Sequence, residues 1–442
     1  MKIFDIRLDL IKRKNLVCIL ILLYTLVIFF SILWTNIFFL NYSYIMDNSL
    51  KEIIPKNLPF HYGPIVQNLL DGKGFFFDEL YNTKEIIFYL KALPFVPILF
   101  WFLLSISKNI YFFVILKNII FFSIFFYTSF ISLKSNKAKL YEWLFILFYI
   151  FFVPYNLKNF LDISSGEFVT TGFIVLIFLL LNSNLKNKNY IIGVLLFILY
   201  LTKESMFLLC IVLPFGIILF EKKNKIKNYF PLIMILIAAL SWGIFGLKAT
   251  GKFPFGASIS TWKSFDMSKA IHNDFLNYYP KFSTDFIDPI IMKEHSLKNT
   301  SVNNEWEFYE YFKERNIEQF KSNKEIILKN TLAKIKFIFF NIQHDGKLDK
   351  NRKDSLLIII SNVINKIIFN LSLGLGIYIL YKKIIKKISC KEEFFFFLLI
   401  LCNIFPHIVG WATTKHLIGI SIISFIYLSK NIMKNKIKIK SI

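Results

Sequence analysis

Carboxylates gather in one polar stretch of this sequence, between an apolar run ending at Leu40 and another beginning at Tyr89: Asp47, Glu52, Asp71, Asp78, Glu79 and Glu85, with His61 among them. A carboxylate beside a low-dielectric region is pushed to a higher pKa and can take a proton from a hydroxyl group. The alternative for any one of them is an ordinary charge on a solvated loop. Two later turns carry cations. Leu201-Thr202-Lys203-Glu204-Ser205 puts a Lys–Glu pair between apolar runs, where charge is costly unless paired or used. It suits a phosphate held by charge-assisted hydrogen bonds, or else a plain hairpin turn. His407, Trp411, Thr413, Thr414, Lys415 and His416 lie around the last polar turn, a set suited to an anion and not spaced as zinc ligands on one helix face. Glu167 opens an apolar run after Ser164-Ser165-Gly166, where it also favours a helix N-terminus electrostatically. No Gly-rich phosphate loop, HExxH or GxSxG occurs in these stretches, and the lack of D-x-D argues against direct use of a nucleotide sugar.

A membrane must hold these residues in place. The chain has 442 residues, 55% of them hydrophobic, with 53 phenylalanines and a formal charge of +24; its mean hydropathy is +0.54. Runs of about eighteen or more apolar residues read as spans, since only a continuous helix satisfies its backbone in hydrocarbon. Lysines punctuate those runs: Lys12 to Lys14, Lys134 to Lys139, Lys186/Lys188, Lys222 to Lys227, Lys382 to Lys387 and Lys430 to Lys440. Basic residues in short loops collect on the cytoplasmic side, and charge so placed speaks for anionic lipid and against nucleic acid. The four cysteines imply neither a disulfide framework nor a CxxC metal site. The first run, Leu16–Leu40, is too long for a signal-peptide core and reads as an anchor.

With every lysine cluster inside, Tyr89–Ile106 is a juxtamembrane helix rather than a span, as its length and Pro94 and Pro97 suggest. Ten spans result: Leu16–Leu40, Ile110–Leu133, Leu140–Val153, Phe168–Leu181, Tyr190–Leu201, Ser205–Phe220, Tyr229–Leu247, Leu356–Tyr381, Phe394–Val409 and Thr413–Leu428. The expected fold is an all-α polytopic membrane protein with both termini cytoplasmic. Residues 1–247 form a membrane domain with a first outer loop at 41–107, 248–354 a soluble outer segment, and 355–442 the last three spans and a basic tail.

The stretch Tyr62-Gly-Pro-Ile-Val-Gln-Asn68-Leu-Leu-Asp-Gly72-Lys-Gly74-Phe75, followed by Lys91-Ala-Leu-Pro94-Phe-Val-Pro97, resembles the first outer loop of bacterial GT-C glycosyltransferases. These enzymes use polyprenyl-phosphate sugars and are related to protein mannosyltransferases and the aminoarabinose transferase of lipid A. Ser165-Gly166-Glu167 is similar to the family's acid at the top of a span, and Thr202-Lys203-Glu204-Ser205 stands where the family often has an arginine before a small polar pair. Asn304-Glu305-Trp306-Glu307 through Phe337 resembles its helix leading into a basic, aromatic stretch. Lys415-His416-Leu417 resembles the Arg-Tyr or Arg-His opening its last span. One position departs: where the family carries an aspartate three or four residues before the loop tyrosine, this chain has Leu58 and Pro59.

The resemblance implies transfer of a sugar from a polyprenyl phosphate to an envelope acceptor at the outer face of the bacterial cytoplasmic membrane. It implies Asp47 first, then Asp78, with Glu79 and His61 beside them, as the base for the acceptor hydroxyl. Lys91, Lys203, Lys415 and His416 would receive the donor phosphate, with Tyr62 and Glu167 in support. The outer segment would select the acceptor. No cofactor is demanded, a divalent metal being the alternative source of phosphate neutralisation. Other readings are a polymerase or ligase of lipid-linked glycans, a transporter or flippase, and a catalytically silent GT-C relative. A transporter would more often show inverted repeats and charges at mid-membrane.

Overall fold

A computed structural model of the chain describes residues 7–41, 46–47, 49–58, 62–81, 84–163, 166–221, 226–254, 304–322, 324–340, 356–409 and 414–439. The first apolar run, free of Pro and Gly, forms one helix, α1 (Arg13–Asn41). The first loop then holds α2 (Tyr62–Leu70), and α3 (Phe95–Ile106) follows it. At about 1.5 Å per residue, twelve residues make α3 roughly 18 Å long, too short to cross about 30 Å of hydrocarbon alone. The expectation of helices alone is corrected in this loop. Strands β1 (Met46–Asp47) and β2 (Glu52–Ile53) pair antiparallel, as do β3 (Phe77–Tyr81) and β4 (Lys84–Phe88). The second hairpin places Phe77 opposite Phe88, and both rings are buried, which rewards a pleated strand carrying aromatic residues.

The remaining elements are helices: α4 (Ile110–Ser135), α5 (Leu140–Phe152), α6 (Pro154–Leu161), α7 (Glu167–Leu181), α8 (Lys188–Tyr200), α9 (Phe207–Phe220), α10 (Ile226–Thr250), α11 (Glu305–Ser322), α12 (Lys324–Phe340), α13 (Leu356–Ile385), α14 (Lys391–Val409) and α15 (Ile418–Ile439). Each of the ten expected spans is largely helical. Among the described residues, however, only five helices are long and apolar enough to cross a membrane: α1, α4, α10, α13 and α14. A sixth span results if α5 and α6, which meet at 83° around Val153-Pro154, are taken together. Proline is tolerated in the first turn of a helix but cannot continue the one before it, so the chain turns there. The architecture is that of an all-α, multi-pass membrane protein.

One short helix is wholly enclosed by protein. All fifteen residues of α7 are buried; it packs against α4, α6, α8, α14 and α15. Gly172 of α7 permits this, since a Cβ there would stand 2.2 Å from Cζ of Phe121. Exposed apolar side chains on α1 and α10, such as Ile21, Phe29, Leu236 and Leu240, turn outward, as expected of helices facing lipid.

A helix that ends inside such a bundle leaves carbonyl oxygens without water. Lysines satisfy them. Lys117 of α4 is buried and donates to the carbonyl oxygens of Leu161 and Asp162, each at 2.9 Å, at the end of α6. Its ammonium also lies 4.2 Å from the centre of the Phe168 ring. Lys366 of α13 donates to the carbonyl of Ile338 in the last turn of α12, and Lys334 of α12 donates to that of Val409, which ends α14, at 3.2 Å. Cations at helix C-termini also oppose the negative end of the macrodipole. Replacing Lys117 by Met keeps the apolar stem and removes the donors. We expect Lys117→Met to lower unfolding stability by about 1–3 kcal/mol, read as a drop in the thermal midpoint of the detergent-solubilised protein; an unchanged midpoint would show that the capping contributes nothing.

Candidate functional site

Three turns distant in sequence meet at one end of α7. The first is the start of α7, where Gly166 adopts φ +68° and Glu167 follows. A Cβ at Gly166 would stand 2.9 Å from Val96 and close to Thr202 and Tyr62, so glycine is needed both for its backbone angle and for its neighbours. The second is the turn between α8 and α9, where Lys203 precedes a 3-10 turn, Glu204–Met206. The third is the 3-10 turn Thr414–Leu417 before α15, which carries His416. The first loop closes against this junction, the N–H of Phe95 donating to the carbonyl of Leu201 at 3.0 Å.

Glu167 is the centre of the site. Its side chain is 2% exposed, and a carboxylate so buried must be compensated. The ammonium of Lys203 bonds Oε1, Nδ1 of His416 lies 2.6 Å from the same oxygen, and Thr170 Oγ1 donates to Oε2 at 3.2 Å. Lys203 Nζ is also 2.9 Å from His416 Nδ1. A proton on Nδ1 serves the carboxylate, whereas a proton on Nε2 leaves Nδ1 to accept from Lys203; the tautomer therefore sets which way the lysine is drawn. The His416 ring stacks on His407, centres 4.5 Å apart and planes within 11°. Asn403 and His407, four residues apart on α14, join Ser205, Thr171 and Gly419 around the same cleft, which is too narrow to admit a water molecule. Tyr62 borders it. Burial, with the negative charges of Glu204 and Glu167, pushes the Tyr62 phenol up, so it stays protonated.

The structure thus brings Glu167, Lys203, His416 and Tyr62 together, whereas Lys91 and Asp47 stand in the first loop. Lys91 is buried in the first loop, its ammonium 3.8 Å from the centre of the Phe77 ring and 4.7 Å from that of Phe88. Asp47 is exposed on β1 and accepts from the Ser49 hydroxyl at 2.5 Å and the Ser49 N–H at 3.0 Å; these bonds hold its carboxyl below the ordinary range. Asp78 and Glu79 stand on β3 opposite Ile87 and Ile86, their side chains outside the described residues, as is that of Lys415. His61 lies outside the described residues altogether. Among the described residues no three His, Cys, Asp or Glu side chains gather as ligands for a metal ion.

Sequence reasoning singled out His407 but missed its companion Asn403 and the role of Glu305. Asn403 and His407 share one helix face, a signal their four-residue spacing carries. Glu305, at the start of α11, is buried and accepts the N–H groups of Tyr89 and Leu90 at 3.0 and 3.1 Å through Oε2; Oε1 is buried without a partner. Burial raises its pKa to about 7 against the opposing pull of those two N–H groups, and α11 is thereby docked on the first loop. No family model, no curated protein and no solved structure matches this chain.

Two tests follow from this geometry. Lys203→Met leaves the Glu167 carboxylate buried with one cation fewer and should cost about 3–5 kcal/mol, most of which the double variant Glu167→Gln/Lys203→Met should restore. Thermal unfolding of the three proteins measures it, and additive losses would show that the pair does not interact. The second concerns pH. Because the folded pKa of Glu305 is raised above its free value, its contribution to docking is fully present below the free pKa and is lost as pH rises through about 7. Hydrogen-exchange protection of the Tyr89 and Leu90 amides should be greater at about pH 5 than at about pH 8, and Glu305→Gln should abolish the difference.

Proposed function

We propose that this protein transfers a sugar from a polyprenyl-phosphate donor to an envelope acceptor, a lipid, glycan or protein, at the outer face of the bacterial cytoplasmic membrane. The observation that carries the reading is the convergence of Lys203 and His416 on Glu167 beside Tyr62. Four chain segments supply these residues, and each belongs to a stretch that resembles GT-C glycosyltransferases. The same reading takes the ten helical runs as ten passes, some broken or enclosed by protein, with both termini cytoplasmic.

In the reaction, the acceptor oxygen bonds to the anomeric carbon as the bond from that carbon to the phosphate oxygen breaks. The acceptor proton passes to a carboxylate of the first loop, and polyprenyl phosphate leaves carrying the charge. Lys203 and His416 are the cations closest to hand for that charge. In the closed cleft Lys203 is engaged by Glu167, so the donor phosphate must draw the lysine away while His416 and Thr170 continue to serve the carboxylate. Lys91 and Lys415 are the reserve cations. For the base, Asp47 is first, ahead of Asp78, Glu79 and His61, although its bonds to Ser49 weaken it as a proton acceptor until the acceptor hydroxyl replaces them.

A second reading has its own support. The cleft admits no water, and Leu58 and Pro59 stand where the family's aspartate would be, as in a catalytically silent relative whose ion cluster serves the fold alone. Radiolabelled polyprenyl-phosphate sugars offered with an envelope fraction to the protein in liposomes separate the two. Transfer that falls at least about 100-fold in Lys203→Ala, the scale of losing one charge stabiliser, and that also falls in Asp47→Asn supports the enzyme and assigns the base. Transfer unaffected by Lys203→Ala, or absent from folded wild type with every donor, sinks it.

A further inference from the structure

The opposite end of α7, about 20 Å from Glu167 along its fifteen residues, opens on a second cavity of about 600 Å³. Six lysines line it: Lys186, Lys188, Lys227, Lys383, Lys391 and Lys430. They come from five helices and one loop. Four of them are not the freely solvated lysines that flank a span. The side chains of Lys188, Lys383, Lys391 and Lys430 are 12%, 27%, 32% and 31% exposed.

Carboxylates answer only part of this charge. Lys188 and Lys391 share a single oxygen, Oε1 of Glu221, at 3.2 and 2.6 Å. Lys430 pairs with Glu392 at 2.7 Å, and Lys383 with Glu393 at 2.7 Å. Lys227 donates to the backbone carbonyl of Lys186 at 3.1 Å. Three carboxylates thus face six ammonium groups. The first residues of α8 and α14 also line the cavity, so two helix N-termini add their positive ends to it. Ser389 is there too, as is Ser183, whose hydroxyl donates to the carbonyl of Leu180 at 2.8 Å. Lys188 also donates to the carbonyl oxygens of Leu181 and Ser183, at 3.3 and 3.1 Å; even so, crowding cations around one carboxylate oxygen is unfavourable, and a further anion would relieve it.

We propose that this cavity binds a phosphate-bearing ligand, a phosphomonoester or diphosphate group whose oxygens bridge Lys188, Lys391 and Lys430. Such a group is small enough for the space and carries the two or more negative charges the surplus calls for. It has two natural sources: the headgroup of an anionic lipid, since the cavity lies at the lysine-rich ends of the helices, or a soluble phosphate compound. The site is separate from the Glu167 cleft and does not rest on the transferase reading.

The test uses the full chain in phosphatidylcholine nanodiscs. One arm titrates inorganic pyrophosphate by calorimetry; the other exchanges part of the phosphatidylcholine for phosphatidic acid and follows the thermal midpoint. Lys391→Gln should weaken pyrophosphate binding, or the phosphatidic acid response, by about tenfold. Glu221→Gln, which removes the competing carboxylate, should strengthen it. Lys386→Gln makes the same charge change on an exposed lysine at that end of α13, outside the cavity, and should leave binding unchanged. Response to pyrophosphate alone identifies a soluble ligand, and response to phosphatidic acid alone identifies a headgroup; either supports the site. Equal weakening by Lys386→Gln and Lys391→Gln, a weaker response in folded Glu221→Gln, or no saturable response in folded wild type overturns it.

Discussion

The burial of one carboxylate governs how this molecule is put together. Glu167 begins a helix with no exposed residue, and a charge taken out of water is tolerated only beside partners of opposite sign that complete its hydrogen bonds. Lys203, His416 and Thr170 meet that demand, and meeting it fixes three connections at once. The α8–α9 turn must reach back over the start of α7, the turn before α15 must come in from the far end of the chain, and the first loop must cover both. Glycine at 166 lets these segments approach. The same constraint draws a lysine and a histidine onto one carboxylate oxygen.

A related constraint shapes the remainder of the bundle. Several helices end within protein, so their last carbonyls need donors. Lys117, Lys334 and Lys366 provide them from neighbouring helices. A buried polar chain does similar work where α5 turns into α6: Tyr149 donates to Asn365 at 2.5 Å, and Asn365 to Asn156 at 2.9 Å. Intramembrane charge is usually taken as a mark of function. In these helices much of it is the means by which broken helices are kept, and broken helices are what place polar turns at the depth of the site.

Charge is also sorted between the two ends of α7. One end holds a compact cluster balanced around Glu167; the other faces a wide cavity in which lysines outnumber carboxylates. A chain with 53 lysines and arginines could scatter them evenly. Drawing several to the margin of one cavity, with side chains only partly exposed, is a packing outcome that local charge counts do not reveal.

The sequence by itself determined which apolar segments would be helical, though not the two hairpins of the first loop. Long apolar runs with few breakers dictated helices, Pro154 dictated the turn after α5, and the pairing of Ser165-Gly166-Glu167 with Lys203 and His416 as residues of interest was legible from charge placed at the ends of apolar runs. It did not determine which of those charges meet. Lys91 and Lys203 are both lysines close to apolar runs in the sequence, yet one ends on the rings of Phe77 and Phe88 and the other on Glu167. Asp47 looked like a base by position, and only its local bonds to Ser49 show how it is held. Hydropathy counts ten apolar runs but cannot tell a helix bathed in lipid from one sheathed in protein, because both are apolar all round. That distinction, and the partners of every buried charge, were decided by tertiary packing.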